Sequence, residues 1–146
     1  MMKFKRILCV CTGNICRSPL AEGYIRQQWR AATVSSAGIV AVVGGQMPAE
    51  AAAIADEQQL DLKDHQGRQI SSDILASVDL VLVMERGQLD WLTQTFPEAR
   101  GRVFLLSHWS GGHDIADPYR KNRVFFNEIY DQIKTSSDGW LGRIAR

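Results

Sequence analysis

The residues best suited to covalent chemistry are crowded into one short segment near the start of the chain. Cys11 and Arg17 enclose five residues, which include Gly13 and Asn14. A cysteine thiolate is a nucleophile, and the planar fork of an arginine can hold two oxygens of a phosphoryl group. Gly13 and Asn14 tolerate unusual dihedral angles, so the segment can curl into a ring whose amides point inward. The spacing therefore predicts a site for a tetrahedral oxyanion with a nucleophile at its base.

The elements on either side of this segment support that interpretation. Residues 5–10 form an apolar, β-rich run, and from Ser18 the apolar residues recur with helical spacing. We expect Ser18 and Pro19 to supply the N-cap and the first-turn proline of this helix, and Glu22 to pair with Arg26 on its outer face. Ligands of a parallel sheet bind beyond the carboxyl ends of its strands, where helix N-termini attract anions. The segment thus lies where such a sheet binds ligands.

Three residues at the ends of this segment, Cys11, Arg17 and Ser18, have expected tasks in the chemistry. The helix dipole and the amides favour the thiolate form of Cys11, and Arg17 stabilises charge as a phosphoryl group is transferred. The Ser18 hydroxyl can hydrogen-bond the sulfur. A cysteine and an arginine at this spacing alone would more often be a small buried residue and a surface cation. The glycine, the asparagine, the helix start and the preceding strand together favour the functional interpretation.

Transfer to sulfur also needs a proton for the leaving oxygen, so a second group should lie on another loop at the same sheet edge. Asp117 is the best candidate because Pro118 stiffens its loop, and Tyr119 is expected to line the cleft beside it. Asp114 is the alternative acid. An Asp-Pro pair by itself usually indicates only a turn.

The rest of the chain alternates between strand and helix patterns, which predicts a parallel sheet covered on both faces. The last helix carries an apolar stripe of Phe126, Ile129, Tyr130 and Ile133. The other expected strands are 33–36, 79–84 and 102–106, and the other expected helices are 48–59, 71–76 and 87–96. No repeat or linker divides residues 1–146, so we expect a single domain.

Composition excludes several classes of function. Lys and Arg number 17 against 16 Asp and Glu, and the net charge of +1 offers no general field for nucleic acid. The longest apolar runs are far shorter than the roughly 18 residues of a membrane span. Three crowded cysteines suit a reactive thiol in the cytoplasm better than a secreted disulfide framework. The three histidines show no metal-ligand spacing with them, so neither a metal nor another cofactor is expected.

Taken together, these segments resemble the low-molecular-weight protein tyrosine phosphatases over nearly the whole chain. The matching segments are 10–22, 35–38, 65–70, 79–85 and 117–119. The resemblance implies a three-layer α/β sandwich with a four-stranded parallel sheet of flavodoxin-like order, 2-1-3-4. It implies Cys11 as the nucleophile, Arg17 as the phosphate clamp and Asp117 as general acid and then base. Asn14, Ser18, Ser36 and His65 would hold the loop in its strained shape. The residues expected to bind the substrate are Thr12, Gly13, Asn14, Ile15, Cys16, Ser18 and Tyr119.

Residues 108–109 and 117–121 resemble more narrowly the bacterial branch that acts on tyrosine autokinases of capsule and exopolysaccharide export. The expected partner is therefore a phosphotyrosine protein of that kind, with inorganic phosphate as the product. Two positions depart from relatives. Arg120 stands where many carry a second tyrosine, and residues 39–45 form a small apolar loop where eukaryotic relatives place an aromatic wall.

Four other functions fit parts of the pattern. A thioredoxin-coupled arsenate reductase shares the anion loop but needs further cysteines after Cys16, and none follows. A protein arginine phosphatase of the same family carries threonine where Ile15 stands. A phosphotyrosine-binding module would lack the nucleophile or the acid. A flavodoxin-like FMN carrier would have no use for the cysteine and arginine.

Cys16 is also expected to act in redox control by trapping an oxidised Cys11 as a disulfide.

Overall fold

Four parallel strands and five α-helices form the regular structure of residues 4–145, which the computed structural model describes. The strands are β1 (Arg6–Cys11), β2 (Thr33–Gly38), β3 (Leu80–Val83) and β4 (Val103–Leu105), and the sheet order is β2-β1-β3-β4. This order confirms the prediction. The helices are α1 (Arg17–Gln28), α2 (Ala49–Glu57), α3 (Ser72–Ala76), α4 (Arg86–Thr95) and α5 (Arg123–Ile144), and two 3-10 helices cover Pro97–Ala99 and Leu106–Trp109.

Alternation along the central strand creates a core on each face of the sheet. Ile7 and Cys9 of β1 pack in the cluster formed with α1, α2 and α5, whereas Leu8 and Val10 pack with residues from α3 and α4. All four residues of β3 are buried, as expected for a strand covered on both sides. The three-layer α/β arrangement is therefore confirmed.

Helix α1 differs from the sequence prediction at its start. The helix begins at Arg17, and Cys16 rather than Ser18 occupies the N-cap position, without a side-chain capping bond. Ser18 lies inside the first turn. Its hydroxyl instead contacts the Cys11 sulfur and accepts from the side-chain amide of Asn14. The ion pair of Glu22 with Arg26 forms, but Glu22 is only 9% exposed. The expectation that the pair lies on the outer face was wrong, because this part of α1 packs against β2.

The remaining predicted elements lie close to their observed positions. The predicted helix 71–76 is α3, and Ser71 caps it by accepting a hydrogen bond from the Ile74 amide at 3.2 Å. The helices predicted at 48–59 and 87–96 are α2 and α4. Within residues 4–145, none of the helices is long and apolar enough to cross a membrane.

Candidate active site

The anion loop joins β1 to α1 at the carboxyl edge of the sheet. Cys11 is the last residue of β1, and Arg17 is the first residue of α1. The chain leaves β1 with β2 on one side and β3 on the other, so this loop opens at the switch point of the sheet. Asn14 has a φ of 59°, in the left-handed region that asparagine tolerates better than most residues.

Hydrogen bonds to its carbonyl groups hold the loop from outside. The Cys11, Thr12 and Gly13 carbonyls accept from the amides of residues 39, 40 and 42 at 3.1, 3.0 and 3.0 Å. The Asn14 carbonyl accepts from Nε2 of His65 at 2.7 Å, so that nitrogen carries a proton. Carbonyl and N–H point in opposite directions across each planar peptide. Four successive carbonyls directed outward therefore turn the following amides toward the interior of the ring.

The Asn14 side chain links the loop to its neighbours. Its Oδ1 accepts from the Arg68 amide at 2.9 Å, and its Nδ2 donates to the hydroxyls of Ser18 at 2.8 Å and Ser36 at 2.9 Å. The side chain is completely buried, so the loss of these bonds would leave polar atoms without partners. Asn14, Ser18, Ser36 and His65 are thus joined to one another through the loop by hydrogen bonds.

The sulfur of Cys11 lies at the base of this ring. Sγ is 2.9 Å from Oγ of Ser18 and accepts from the backbone amide of Asn14 at 3.3 Å. The residue is only 2% exposed, so a substrate reaches the sulfur only through the ring. Both contacts can donate hydrogen to the sulfur.

Arg17 is the largest of the fully buried side chains in the described part of the chain. One guanidinium nitrogen donates to the Glu85 carboxylate and, at 2.7 Å, to the Ile115 carbonyl. The other nitrogen lies 3.9 Å from a carboxylate oxygen of Asp117. The buried guanidinium is therefore fixed from behind and faces the acid loop.

The residues of the loop and the opposing acid enclose a cavity of about 230 Å³. Asp117 and Tyr119 form one side, and Asp117 Oδ1 accepts from the Tyr119 amide at 3.0 Å. The Asp117 side chain remains 51% exposed, whereas Asp114 bonds to the Arg86 amide at 2.8 Å and does not line the cavity. The full lining is Cys11, Thr12, Gly13, Ile15, Cys16, Arg17, Val40, Val42, Asp117 and Tyr119.

The structure thus brings together most of the residues selected from the sequence. Asn14 and Ser18, which were expected to bind the substrate, are exceptions, because their side chains are completely buried and do not line the cavity. Cys16 lines the cavity but is mostly buried. Burial is the main reason that the pKa of its thiol is raised to about 12, and the nearby Asp117 carboxylate adds to the effect.

Sequence reasoning did not select the residues that support the site from β3 and α4. Glu85 immediately follows β3 and bonds to Arg17, and the buried Gln88 donates to the Thr12 hydroxyl at 3.1 Å. Gln88 also accepts from the Met84 and Glu85 amides through one oxygen. The position of Glu85 at the carboxyl end of a buried strand was the signal that could have revealed it.

Comparison with known proteins shows the family to which the chain belongs. The family model described as low molecular weight phosphotyrosine protein phosphatase matches residues 6–146. The chain therefore belongs to that family, and it is an enzyme of the protein-tyrosine-phosphatase class.

Three individual similarities show how far the likeness extends. The low molecular weight protein-tyrosine-phosphatase Wzb of Escherichia coli K12 is 42% identical, covering 94% of this chain and 93% of that protein. The structure of Vibrio vulnificus Wzb in complex with benzylphosphonate is 40% identical, with a TM-score of 0.92 over 96% of this chain and 99% of that one. The YwlE arginine phosphatase of Geobacillus stearothermophilus is 32% identical, with a TM-score of 0.88 over 94% and 91% of the two chains.

Proposed function

We propose that Cys11 carries the phosphatase reaction as a covalent nucleophile. Its sulfur bonds to the phosphorus of phosphotyrosine as the bond from phosphorus to the phenolic oxygen breaks. Asp117 gives a proton to that oxygen, so tyrosine leaves neutral. Water then loses a proton to Asp117 and attacks the phosphocysteine, which releases inorganic phosphate and restores the thiolate. The observation that carries this proposal is the position of the Cys11 sulfur at the base of a ring of inward-directed amides.

The other loop residues are assigned to binding and support. Arg17 is proposed to hold phosphoryl oxygens and to stabilise the charge that develops during transfer, because a buried guanidinium acts strongly there. The inward amides of residues 12–15 bind the remaining oxygens. The Ser18 hydroxyl supports sulfur as the leaving group in the second step. Asn14, Ser36 and His65 keep the loop in its bound shape.

The apolar part of the cavity favours an aromatic leaving group. Ile15, Val40, Val42 and the ring of Tyr119 line it. Benzylphosphonate, which Vibrio vulnificus Wzb binds, likewise joins an aromatic ring to a tetrahedral phosphorus group. We therefore propose phosphotyrosine on protein as the substrate class.

The likeness to an arginine phosphatase makes phosphoarginine the second candidate substrate. Its charged guanidinium would have to lie against the apolar side chain of Ile15, and each N–H group left there without a partner costs about 1 to 3 kcal/mol. We expect Ile15→Thr to raise kcat/KM for phosphoarginine relative to phosphotyrosine by about tenfold or more. Measuring both substrates with both proteins tests this. An unchanged ratio would place the discrimination elsewhere, with residues 39–45 the next to examine.

The proposed biological substrate is a tyrosine autokinase of capsule or exopolysaccharide export, acted on in the cytoplasm. The resemblance of residues 108–109 and 117–121 to that bacterial branch supports it. Incubation of the enzyme with an autophosphorylated kinase of this type, followed by phosphotyrosine detection, tests the pairing.

Two substitutions test the assigned mechanism. Cys11→Ser should abolish turnover while vanadate still binds, because the ring of amides remains.

Asp117→Asn should lower kcat by about 10²- to 10⁴-fold for phosphotyrosine, and by less for p-nitrophenyl phosphate, whose leaving group hardly needs a proton. Asp114→Asn is the matched control, and it should not show this dependence on the leaving group. An equal loss for all leaving groups in Asp117→Asn would remove Asp117 from the acid role.

A further inference from the structure

The buried carboxylate of Glu22 has no part in the mechanism described above. The residue lies on α1 and is 9% exposed, and each of its oxygens accepts a separate hydrogen bond. Oε1 accepts from the Ser36 hydroxyl at 2.5 Å, and Oε2 accepts from the Arg26 guanidinium. Burial of a carboxylate is costly unless it is paired in this way, so its position calls for a physical reason.

The directions of the hydrogen bonds that start at Glu22 can be assigned. A carboxylate can only accept, so the Ser36 hydroxyl hydrogen is committed to Glu22. Ser36 Oγ is then left to accept from Asn14 Nδ2 at 2.9 Å. The Arg68 amide can only donate, and its bond to Asn14 Oδ1 independently fixes which end of the Asn14 side chain faces Ser36.

The same chain of bonds continues to the nucleophile. Asn14 Nδ2 also donates to Ser18 Oγ at 2.8 Å, so the Ser18 hydroxyl hydrogen is free to point at the Cys11 sulfur, 2.9 Å away. That direction suits a thiolate, which accepts, and opposes a thiol that would donate. Successive hydrogen bonds polarise one another, so a charged acceptor at one end strengthens the whole chain.

We propose that Glu22 is a positioning residue for the Cys11 thiolate and acts through Ser36, Asn14 and Ser18. This inference rests on the proposed role of Cys11 as nucleophile. Glu22 itself touches neither the cavity nor the sulfur. It keeps the hydrogen of Ser36 directed away from Asn14, so that both hydrogens of Asn14 Nδ2 find an acceptor, one at Ser36 and one at Ser18.

Glu22→Gln tests the direction of the chain without changing the shape of the side chain. Glutamine offers one acceptor oxygen to two donors, the Ser36 hydroxyl and the Arg26 guanidinium. If the oxygen bonds to Arg26, the amide NH₂ faces Ser36 and pushes its hydrogen toward the Asn14 NH₂. We expect kcat to fall about tenfold, the effect of weakening one hydrogen bond to a charged sulfur. The pH midpoint for alkylation of Cys11 by iodoacetamide should rise, while vanadate affinity stays within about threefold of wild type.

Arg26→Met in the same chain provides a rescue that a purely structural role would not predict. Without the guanidinium, the side-chain oxygen of the introduced glutamine can turn to Ser36. The double variant Glu22→Gln/Arg26→Met should therefore recover kcat and the alkylation midpoint toward the values of Arg26→Met alone. Glu57→Gln is the matched control, because Glu57 is also a helical glutamate paired with an arginine, Arg123, but lies on the surface. It should behave as wild type.

The proposal is overturned if folded Glu22→Gln shows wild-type kcat and alkylation midpoint, or if its loss is not relieved by Arg26→Met. Should Glu22→Gln fail to fold, Ser36→Ala can still reject the proposal, because it removes the link to Asn14 and leaves the Glu22 pair with Arg26. A wild-type kcat and alkylation midpoint in Ser36→Ala would equally reject the proposal. Turnover by wild type and its loss in Cys11→Ser test the proposed mechanism separately.

Discussion

At the scale of single residues, Cys11 and Cys16 share one loop but have different surroundings. The Cys11 sulfur has a hydroxyl and an amide as partners, whereas Cys16 is mostly desolvated, with its pKa raised to about 12. At neutral pH the Cys16 thiol is therefore protonated. It can still condense with a sulfenic acid on Cys11, which forms a disulfide and releases water, but the rate should be limited by its small thiolate fraction.

We expect this pair to protect the nucleophile from irreversible oxidation. After a pulse of peroxide, dithiothreitol should restore more activity to wild type than to Cys16→Ser, because only wild type traps Cys11 as a reducible disulfide. The difference should grow as pH rises from 7 toward 9, since more Cys16 becomes thiolate. Cys9→Ala is the control, because Cys9 is fully buried and does not line the cavity. Equal recovery in wild type and Cys16→Ser at every pH would contradict the trap.

The sequence predicted the residues of the cavity better than those that support it. Cys11, Arg17 and Asp117 have types and positions that suggest chemistry on their own. The sequence analysis wrongly placed Glu22 on the outer face of α1, because a glutamate four residues before an arginine is typical of an exposed helix face. Its burial depends on how closely α1 packs on β2, which depends on contacts between residues far apart in the chain.

At the scale of elements, the loop after β2, residues 39–45, is joined to the anion loop by backbone hydrogen bonds. Its amides fix the carbonyls of residues 11–13, and residues 44 and 45 exchange hydrogen bonds with Gly67 at 2.8 and 2.9 Å. Gln69 adds a further clamp, since its side-chain amide bonds to the Ala41 amide and the Ile39 carbonyl at 2.9 and 2.8 Å. The side chains of Val40 and Val42 are therefore presented to the cavity by a constrained backbone.

Gly67→Ala should disturb this arrangement. A Cβ at this position would lie 2.2 Å from the Val42 carbonyl oxygen, so the loop must move away. The Val42 amide would then leave the Gly13 carbonyl, and we expect kcat/KM to fall about tenfold or more through misplacement of the ring. Gly142→Ala on α5 is the control, because its Cβ meets nothing within 4 Å, and it should stabilise by about 0.5 to 1 kcal/mol. Unchanged kcat/KM in Gly67→Ala would show that the loop can shift without moving the ring.

Strand and helix patterns predicted the elements because each is a local property of the chain. Strand β3 is an apolar run whose type is clear from its residues alone, and the observed bounds, Leu80–Val83, lie within the predicted range. The clamp between residues 39–45 and 65–70 is different. Apart from the Gln69 side chain, it joins two segments with little regular structure through backbone groups, and backbone hydrogen bonds leave no pattern in the sequence.

At the scale of the whole molecule, the two ends of the sheet serve different purposes. The cavity lies at the carboxyl edge. At the amino edge, an ion pair joins Arg6, the first residue of β1, to Asp79, the residue before β3. Arg6 donates to Asp79 from its guanidinium at 2.8 Å and from its backbone amide at 3.0 Å. This contact joins strands that neighbour each other in the sheet but are separated by more than 70 residues of chain.

Asp79→Asn should therefore lower stability without affecting catalysis. The hydrogen bond from the Arg6 side chain is the main cause of the lowered pKa of Asp79. A carboxylate whose pKa is lower in the folded protein stabilises it above the unfolded value of about 3.9, and this contribution is lost as pH falls through the folded value. Both side chains are partly exposed, so we expect less than about 1 kcal/mol at pH 7.

Urea unfolding of wild type and Asp79→Asn from pH 7 down to pH 2 measures this contribution. The difference in unfolding free energy should be present at pH 7, begin to shrink below about pH 4, and vanish once Asp79 is protonated in the folded protein. Asp90→Asn is the control, since Asp90 is exposed on α4 and forms no ion pair within residues 4–145. It should leave stability unchanged, and kcat should be that of wild type in both variants. A stability difference that persists at pH 2, or a fall in kcat for Asp79→Asn, would contradict the separation of the two edges.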